Sequence, residues 1–187
     1  MKGIIFNLAE EVLVSAHGED VWDEVLEASG LDGAYTSLGS YPDGELVALV
    51  TGASKVLGAD AAAVVRAIGE GAIPLLAERY PAFFDHHDSA RSFVLTVNDI
   101  IHPEVRKLYP GADVPEFTFD LPDADTVTVG YRSHRRLCFL AEGFIAGAAR
   151  HYGERVVIDQ TACMLSGADH CAIHCRFEQA AAGLVDH

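Results

Sequence analysis

Two short stretches hold side chains whose types and spacing could do chemistry. In the first, His102 precedes Pro103 near the edge of an apolar stripe with helical spacing. Because proline lacks an amide hydrogen and crowds the turn before it, we expect a break there that points the imidazole of His102 into a cavity. Such an imidazole could ligate iron, although a histidine at the edge of a hydrophobic core fits the same pattern.

In the second stretch, Tyr131, Ser133 and Arg135 alternate along an extended segment and would therefore share one face. That face offers a phenol, a hydroxyl and a guanidinium, which all donate hydrogen bonds. The planar guanidinium of arginine matches a carboxylate with two parallel hydrogen bonds. A helix predicted to start at residue 135 would add free amides that favour an anion. The pattern fits a carboxylate clamp and, equally, surface charges at a strand end.

The elements that must position these residues begin with a helical half. Helical spacing of apolar residues predicts helices over residues 2–17, 20–28, 44–57 and 60–78. Gly30 is a predicted C-cap and Asp60 a predicted N-cap, and Pro74 should kink or end its helix. One further helix is predicted from Ser89 to Tyr109.

Beyond Pro110 the apolar period changes to two. Strands are predicted over 116–120 and 126–131, a helix over 135–151, and a closing hairpin over 154–165 and 170–177. The fold class is α+β, with a helical N-terminal subdomain and a mainly antiparallel four-stranded sheet interrupted by one helix. We expect a single domain, residues 1–187. Its predicted parts are a helical subdomain (1–60), a site-bearing part (61–178) and a tail (179–187).

Composition excludes several classes of function. The 187 residues are 50% hydrophobic and carry a formal net charge of −15, which argues against nucleic-acid binding and against anionic membrane surfaces. No apolar run has the length of a membrane span, and the first residues lack a signal peptide's pattern. We therefore expect a cytoplasmic protein whose four cysteines are thiols or metal ligands.

The spacing Tyr131-x-Ser133-x-Arg135 resembles the YxSxR motif of the haem nitric oxide/oxygen binding (H-NOX) family. The similarity extends to the Met-Lys-Gly start, the position of His102 before the motif, Pro115 and the overall length. By that resemblance the chain is a bacterial stand-alone gas sensor that binds haem b. His102 is then the iron ligand, the three motif residues hold the haem propionates, and Pro115 presses on the porphyrin and distorts it.

The same resemblance bears on which gas is bound. Oxygen-binding members place a tyrosine on the helix after the motif, where this chain has Leu140. The residues expected around the gas are all apolar: Ile5, Ala72, Leu76, Leu140 and Phe144. Because bound dioxygen is favoured by a hydrogen-bond donor, we expect a ferrous haem that binds nitric oxide and carbon monoxide but not dioxygen. The bond between iron and His102 would then break and alter a partner.

The cysteines leave an alternative open. Cys138, Cys163, Cys171 and Cys175 could form a tetrahedral zinc site, with His170 and His174 as rival ligands. Some bacterial H-NOX proteins carry such a thiol-sensitive site but use a histidine where this chain has Gln160. Four idle thiols fit equally. A zinc-thiolate redox sensor is therefore the alternative function.

Two expectations concern the output. Haem with an open coordination position could also support an enzyme, but an apolar pocket lacks the acid or base that peroxide chemistry needs. We therefore expect a sensor without its own catalytic output. The resemblance implies a partner in trans, either a histidine kinase or an enzyme that makes or degrades cyclic-di-GMP.

Overall fold

The structure, a computed structural model, describes residues 1–179. The predicted tail therefore lies outside the described residues except for Gln179, which ends a strand. Three helices form the N-terminal part: α1 (Gly3–His17), α2 (Glu19–Ser29) and α3 (Asp43–Leu57). Gly30 ends α2 in the left-handed conformation with φ 69°, as the C-cap prediction requires. The apolar faces of the three helices meet in one core, which includes Phe6, Leu13, Trp22, Val25 and Leu49.

The second half is a four-stranded antiparallel sheet with one inserted helix, as predicted. Its elements in chain order are β1 (Glu116–Asp120), β2 (Thr126–Arg132), α7 (Cys138–His151), β3 (Glu154–Ala162) and β4 (Cys171–Gln179). The strand order is β1-β2-β4-β3. Tyr131 on β2 pairs with Phe117 on β1 and with Cys171 on β4. One face of the sheet packs on α7, and its inward residues form a second core with that helix.

The inserted helix begins three residues later than predicted. Arg136 has φ 53°, a left-handed conformation that a helix cannot include. The chain therefore turns at Arg136, whose amide donates to the carbonyl of Ser133 at 3.1 Å, and α7 starts only at Cys138. Ser133 and Arg135 therefore lie in the turn that joins β2 to α7.

Helix α4 (Ala61–Arg79) joins the two cores. The side chain of Asp60 accepts a hydrogen bond from the amide of Ala62 at 3.2 Å, which confirms the predicted N-cap. Pro74 does not end the helix, although it leaves the carbonyl of Glu70 without its helical donor. That carbonyl faces α7, since a Cβ placed on Gly147 would lie 2.6 Å from it. The carbonyl of Glu70 thus packs against the backbone of α7 at Gly147.

The stretch from 89 to 109 departs most from the prediction of a single helix. After a short 3-10 turn (Pro81–Phe83) it consists of α5 (Ala90–Leu95), a π-helical segment (Val97–Ile101) and α6 (His102–Leu108). His102 has φ −63° and ψ −39°, so the expectation that Pro103 would move it out of helical geometry is wrong. The irregularity lies before His102, because Pro103 sits in the first turn of α6, where no amide hydrogen is needed.

Within residues 1–179, no single helix is both long and apolar enough to cross a membrane. Only α3 and α4 taken together, bent by 104°, meet those limits of length and composition.

Candidate functional site

One large cavity of about 480 Å³ lies between the helical half and the sheet, a size typical of small-molecule and cofactor pockets. It is lined by residues of α1, α4, α6, α7, the π-helical segment, β1 and β2. The apolar side chains in this lining include Ile5, Ile73, Leu76, Phe83, Val97, Ile101, Val105, Phe117, Phe119, Leu140 and Phe144. Polar side chains are few, and Tyr131, Ser133 and Arg135 gather at one end.

His102 lines the cavity from α6. Its ring stacks on Phe117 of β1, with the ring centroids 5.5 Å apart and the planes 26° apart. Burial, together with the nearby charge of Arg106, lowers the pKa of His102 to about 4. The imidazole is therefore neutral at physiological pH, which is the form that binds metal ions. In the described part of the chain, neither ring nitrogen makes a hydrogen bond.

The π-helical segment before His102 holds this ring in place. The amides of Ile100 and Ile101 both donate to the carbonyl of Thr96, at 2.8 and 3.2 Å, so the helix widens by one residue at this point. The side-chain amide of Asn98 donates to the carbonyl of Phe117 at 2.8 Å. The segment is thus tied to β1, next to the ring that stacks on His102. Such π-helical insertions occur frequently at functional sites.

Tyr131 and Ser133 lie together at the polar end of the cavity. Tyr131 is buried, and its hydroxyl accepts a hydrogen bond from the amide of Leu137 at 3.0 Å. Burial raises the pKa of Tyr131, so the phenol keeps a hydrogen that it can donate. The Ser133 hydroxyl likewise accepts from the amide of Arg135 at 3.3 Å. Both hydroxyls can therefore donate to a ligand while remaining fixed by backbone amides.

Arg135 completes this group, and two carboxylates from distant segments hold it. Its Nε donates to Asp43 at 2.9 Å, and its Nη1 donates to the carbonyl and carboxylate of Asp113 at 2.7 and 3.2 Å. Within residues 1–179, its Nη2 has no such partner. The Arg135 side chain is 14% exposed and lines the cavity's polar end, so Nη2 is a donor available to a ligand there. The structure thus brings all three motif residues together.

The expected gas pocket forms the helical side of the cavity. Ile5, Leu76, Leu140 and Phe144 all line it. Ala72 is buried but does not belong to the lining. The lining residues of α4 are Ile73 and Leu76, three positions apart on one face of the helix, and Ala72 lies to one side of that face. Pro115 lines the cavity from the segment that leads into β1.

Three of the four cysteines converge at the end of the sheet. The sulfur atoms of Cys138, Cys163 and Cys171 lie within 4.8 Å of one another, and the first two are 3.8 Å apart. Cys175 is not part of this group, because it lies four residues along β4 from Cys171, about 13 Å at the rise of a strand. Burial raises the pKa of Cys138 to about 12. The side-chain nitrogen of Gln160 is buried and has no partner in the described part of the chain.

Sequence reasoning missed three residues of the site. Asp43 and Asp113 pair with Arg135 from 92 and 22 residues away, and no local pattern links residues at such separations. Phe117, which stacks on His102, did carry a signal: with Phe119 it forms the apolar face of a strand with period two. An apolar strand face is expected to pack against another part of the chain, and Phe117 on this face packs against the ring of His102.

Comparison with known proteins decides the family. A family model described as Haem-NO-binding matches residues 2–160. The chain belongs to this family, the H-NOX domains. No curated protein sequence matches the chain.

Solved H-NOX structures agree with this assignment. An H-NOX protein from S. oneidensis in the Fe(II)NO ligation state is 37% identical, with a TM-score of 0.88, over 96% of this chain and 100% of that chain. A triple mutant of the S. oneidensis protein in the Fe(II) state is 36% identical, with a TM-score of 0.89, over 97% and 98%. A mutant H-NOX protein from K. algicida, at 24% identity and a TM-score of 0.85 over 96% and 97%, shows the fold alone.

H-NOX domains bind haem and act as gas sensors. The cavity of this chain fits a haem group. A neutral imidazole lines the cavity, apolar walls would enclose a porphyrin, and three donors at one end suit its two carboxylates. The family and fold predictions are confirmed.

Proposed function

We propose that this H-NOX domain is a nitric oxide sensor that holds haem b. His102 would ligate the iron, and Tyr131, Ser133 and Arg135 would bind the propionates. The observation that carries this assignment is the neutral, unpaired imidazole of His102 in a cavity whose polar end holds those donors. Pro115, which lines the same cavity, would press on the porphyrin. The iron supplies the gas-binding position.

Selectivity follows from the apolar walls opposite His102. Ile5, Leu76, Leu140 and Phe144 offer no hydrogen-bond donor to a gas bound on that side. Bound dioxygen carries partial negative charge and needs such a donor, whereas nitric oxide and carbon monoxide do not. We infer a sensor that takes nitric oxide and carbon monoxide and excludes dioxygen.

The output would begin at His102. Release of this side chain from iron on nitric oxide binding would loosen α6, whose other contacts include the stack of His102 on Phe117 and the hydrogen bond between Tyr109 and Tyr80. The iron-held and released positions of α6 would form a two-state element whose populations the gas shifts. The partner would be a histidine kinase or an enzyme of cyclic-di-GMP turnover, acted on in trans. Four free thiols favour a reducing compartment such as the cytoplasm.

Absorption spectra of the reduced, haem-loaded protein test the proposal. We expect new bands with nitric oxide and with carbon monoxide and an unchanged ferrous spectrum in air-saturated buffer before autoxidation. Leu140→Tyr should introduce a donor and allow dioxygen binding, whereas the matched variant Leu140→Phe should not. A stable dioxygen complex in the unmodified protein would contradict the selectivity.

A zinc-thiolate redox site is the second candidate, and the three converging sulfurs favour it. Two sulfurs bound at about 2.3 Å to one tetrahedral zinc ion lie about 3.8 Å apart, the separation of Cys138 and Cys163. The set of three thiolates lacks a fourth ligand, since this chain has Gln160 where zinc-binding relatives would have a histidine. Metal analysis of freshly reduced protein tests it: a zinc-to-protein ratio near one supports the site, and a ratio near zero removes it.

A further inference from the structure

The haem cavity shares a wall with a second cavity that opens to solvent beside α1. Within residues 1–179, three residues line both cavities: Ile4, Tyr80 and Tyr109. Ile4 belongs to α1, while Tyr80 and Tyr109 are the C-terminal cap residues of α4 and α6. The two phenol hydroxyls are 2.6 Å apart and form a hydrogen bond. The wall is therefore one side chain thick and is closed by a single hydrogen bond between two helix ends.

The surroundings differ on the two sides of this wall. The outer cavity is lined by polar side chains, among them Asn7, Glu10, Glu11 and Arg79, and the ion pair between Arg79 and Glu11 joins α4 to α1 beside it. The haem cavity is apolar on its side. Tyrosine has an apolar ring and a polar tip, so it suits such a boundary. A small uncharged molecule can cross there without leaving a polar group unpaired in the apolar cavity.

Both tyrosines lie outside regular helix. Tyr80 has φ −133° and ψ 57°, and Tyr109 has φ −124° and ψ 81°. Each ring turns about its own side-chain torsions, so separating the two hydroxyls requires no helix to unwind. Burial and the hydrogen bond with Tyr80 raise the pKa of Tyr109 above its ordinary value, so this phenol is neutral at physiological pH. A hydrogen bond between two neutral hydroxyls contributes little net free energy and breaks readily.

The other end of the haem cavity is a poor route for gas once haem is present. Ser133 and Arg135 lie there beside Asp113, whose side chain is 56% exposed. The propionates proposed above would occupy that mouth. We propose that Tyr80 and Tyr109 form a gate through which a diatomic gas passes between solvent and the haem cavity. This inference rests on the proposed haem-binding function.

Carbon monoxide kinetics on the haem-loaded full chain test the gate. A gate is a barrier common to entry and exit, so removing its hydrogen bond must change both rates by one factor and leave the equilibrium constant unchanged. For Tyr80→Phe and for Tyr109→Phe we expect association and dissociation each to become about five-fold faster. That factor corresponds to about 1 kcal/mol at 1.4 kcal/mol per factor of ten, the typical net value of a hydrogen bond.

Two further variants sharpen the test. Tyr35→Phe removes a hydroxyl that lines only the outer cavity, so it should change neither rate. Ile4→Phe adds bulk to the wall itself and should slow both rates, which keeps the test open if a tyrosine variant misfolds. Association is followed after flash photolysis, and dissociation by displacement with nitric oxide.

The outcomes separate cleanly. Equal changes in both rates with an unchanged equilibrium constant support the gate. Rates that none of the wall variants alters would overturn it, as would a changed equilibrium constant, which would mean that the hydroxyls act on the bound gas. Failure of the unmodified protein to bind haem or carbon monoxide would instead overturn the proposed function.

Discussion

The ring of His102 stacks on the ring of Phe117, with 5.5 Å between their centroids and 26° between their planes. His102 starts α6, and Phe117 lies on β1, so the contact joins the helix that would hold the iron to the sheet. Asn98 adds a second tie, because its side chain donates to the carbonyl of Phe117. The orientation of the imidazole is therefore set by the sheet as well as by its own helix.

Replacing Phe117 with leucine should loosen this orientation. A ring pair contributes about 0.5–1.5 kcal/mol beyond its buried area, so we expect haem to dissociate about five-fold faster. Transfer of haem to an apomyoglobin acceptor measures the rate. Phe119→Leu is the matched control, since that ring stacks on Phe117 but not on His102. Equal effects in both variants would show that general packing, and not the contact with His102, is responsible.

Asp113 accepts a hydrogen bond from the guanidinium of Arg135, and the propionates would compete for that donor. Its carboxylate accepts from Nη1 of Arg135 at 3.2 Å, and its side chain is 56% exposed, so the pair contributes at most about 1 kcal/mol. We expect Asp113→Asn to tighten hemin binding two- to five-fold, as measured by titration at the Soret band. Asp120→Asn, at the far end of β1, should have no effect. Weaker binding in Asp113→Asn would mean that Asp113 positions Arg135 instead of competing for it.

Asp43 should make the stability of the fold depend on pH. Burial by itself raises its pKa, but hydrogen bonds from the terminal ammonium group, Arg135 and His134 outweigh that effect and hold the pKa well below its ordinary value. Because the folded pKa is lower than the unfolded value of about 3.9, the stabilisation is present above that value and is lost as pH falls below it.

Urea unfolding of Asp43→Asn at two pH values checks this linkage. The side chain is 39% exposed, so we expect a loss of only about 1 kcal/mol at pH 6 relative to the unmodified protein. The difference should shrink at pH 3. Asp88→Asn, an exposed substitution away from Arg135, should stay within about 0.5 kcal/mol at pH 6. A difference that grows on acidification would contradict the sign of the shift.

The crossing of α4 and α7 depends on glycine. A Cβ on Gly143 would lie 2.2 Å from the carbonyl of Arg66, which is backbone and cannot move aside alone. We expect Gly143→Ala to lower the free energy of unfolding by about 1–3 kcal/mol. Gly44→Ala is the matched control: Gly44 lies in the first turn of α3 with no atom within 4 Å of the added Cβ, so the free energy of unfolding should change by less than about 0.5 kcal/mol. Thermal unfolding of both variants decides the matter.

Much of the fold follows from local patterns in the sequence. The helices α1 to α4 and the four strands lie near their predicted positions, because each buries one apolar face with a regular period. The prediction of one continuous helix from 89 to 109 was wrong in its middle part, where the structure has a π-helical segment. Its apolar spacing continues through the π-helical segment, so no local pattern marks a turn that widens by one residue.

The sequence predicts those members of the site that carry a local pattern, as His102 does before its proline. Tyr131, Ser133 and Arg135 come from one segment and form a recognisable motif. The partners of Arg135 belong to no motif, since Asp43 and Asp113 reach it through the packing of α3 and of the segment before β1. The wall formed by Tyr80 and Tyr109 depends likewise on where two helices end. Such contacts exist only once the two halves of the chain pack together.

The central claim is that His102 holds haem iron in this cavity, and hemin titration of the apoprotein tests it most directly. We expect one hemin per chain and, after reduction, the spectrum of a histidine-ligated ferrous haem. His102→Gly should lose that spectrum and regain it when free imidazole is added. A protein that stays colourless with hemin, or a His102→Gly variant whose spectrum matches the unmodified protein without imidazole, would contradict the account.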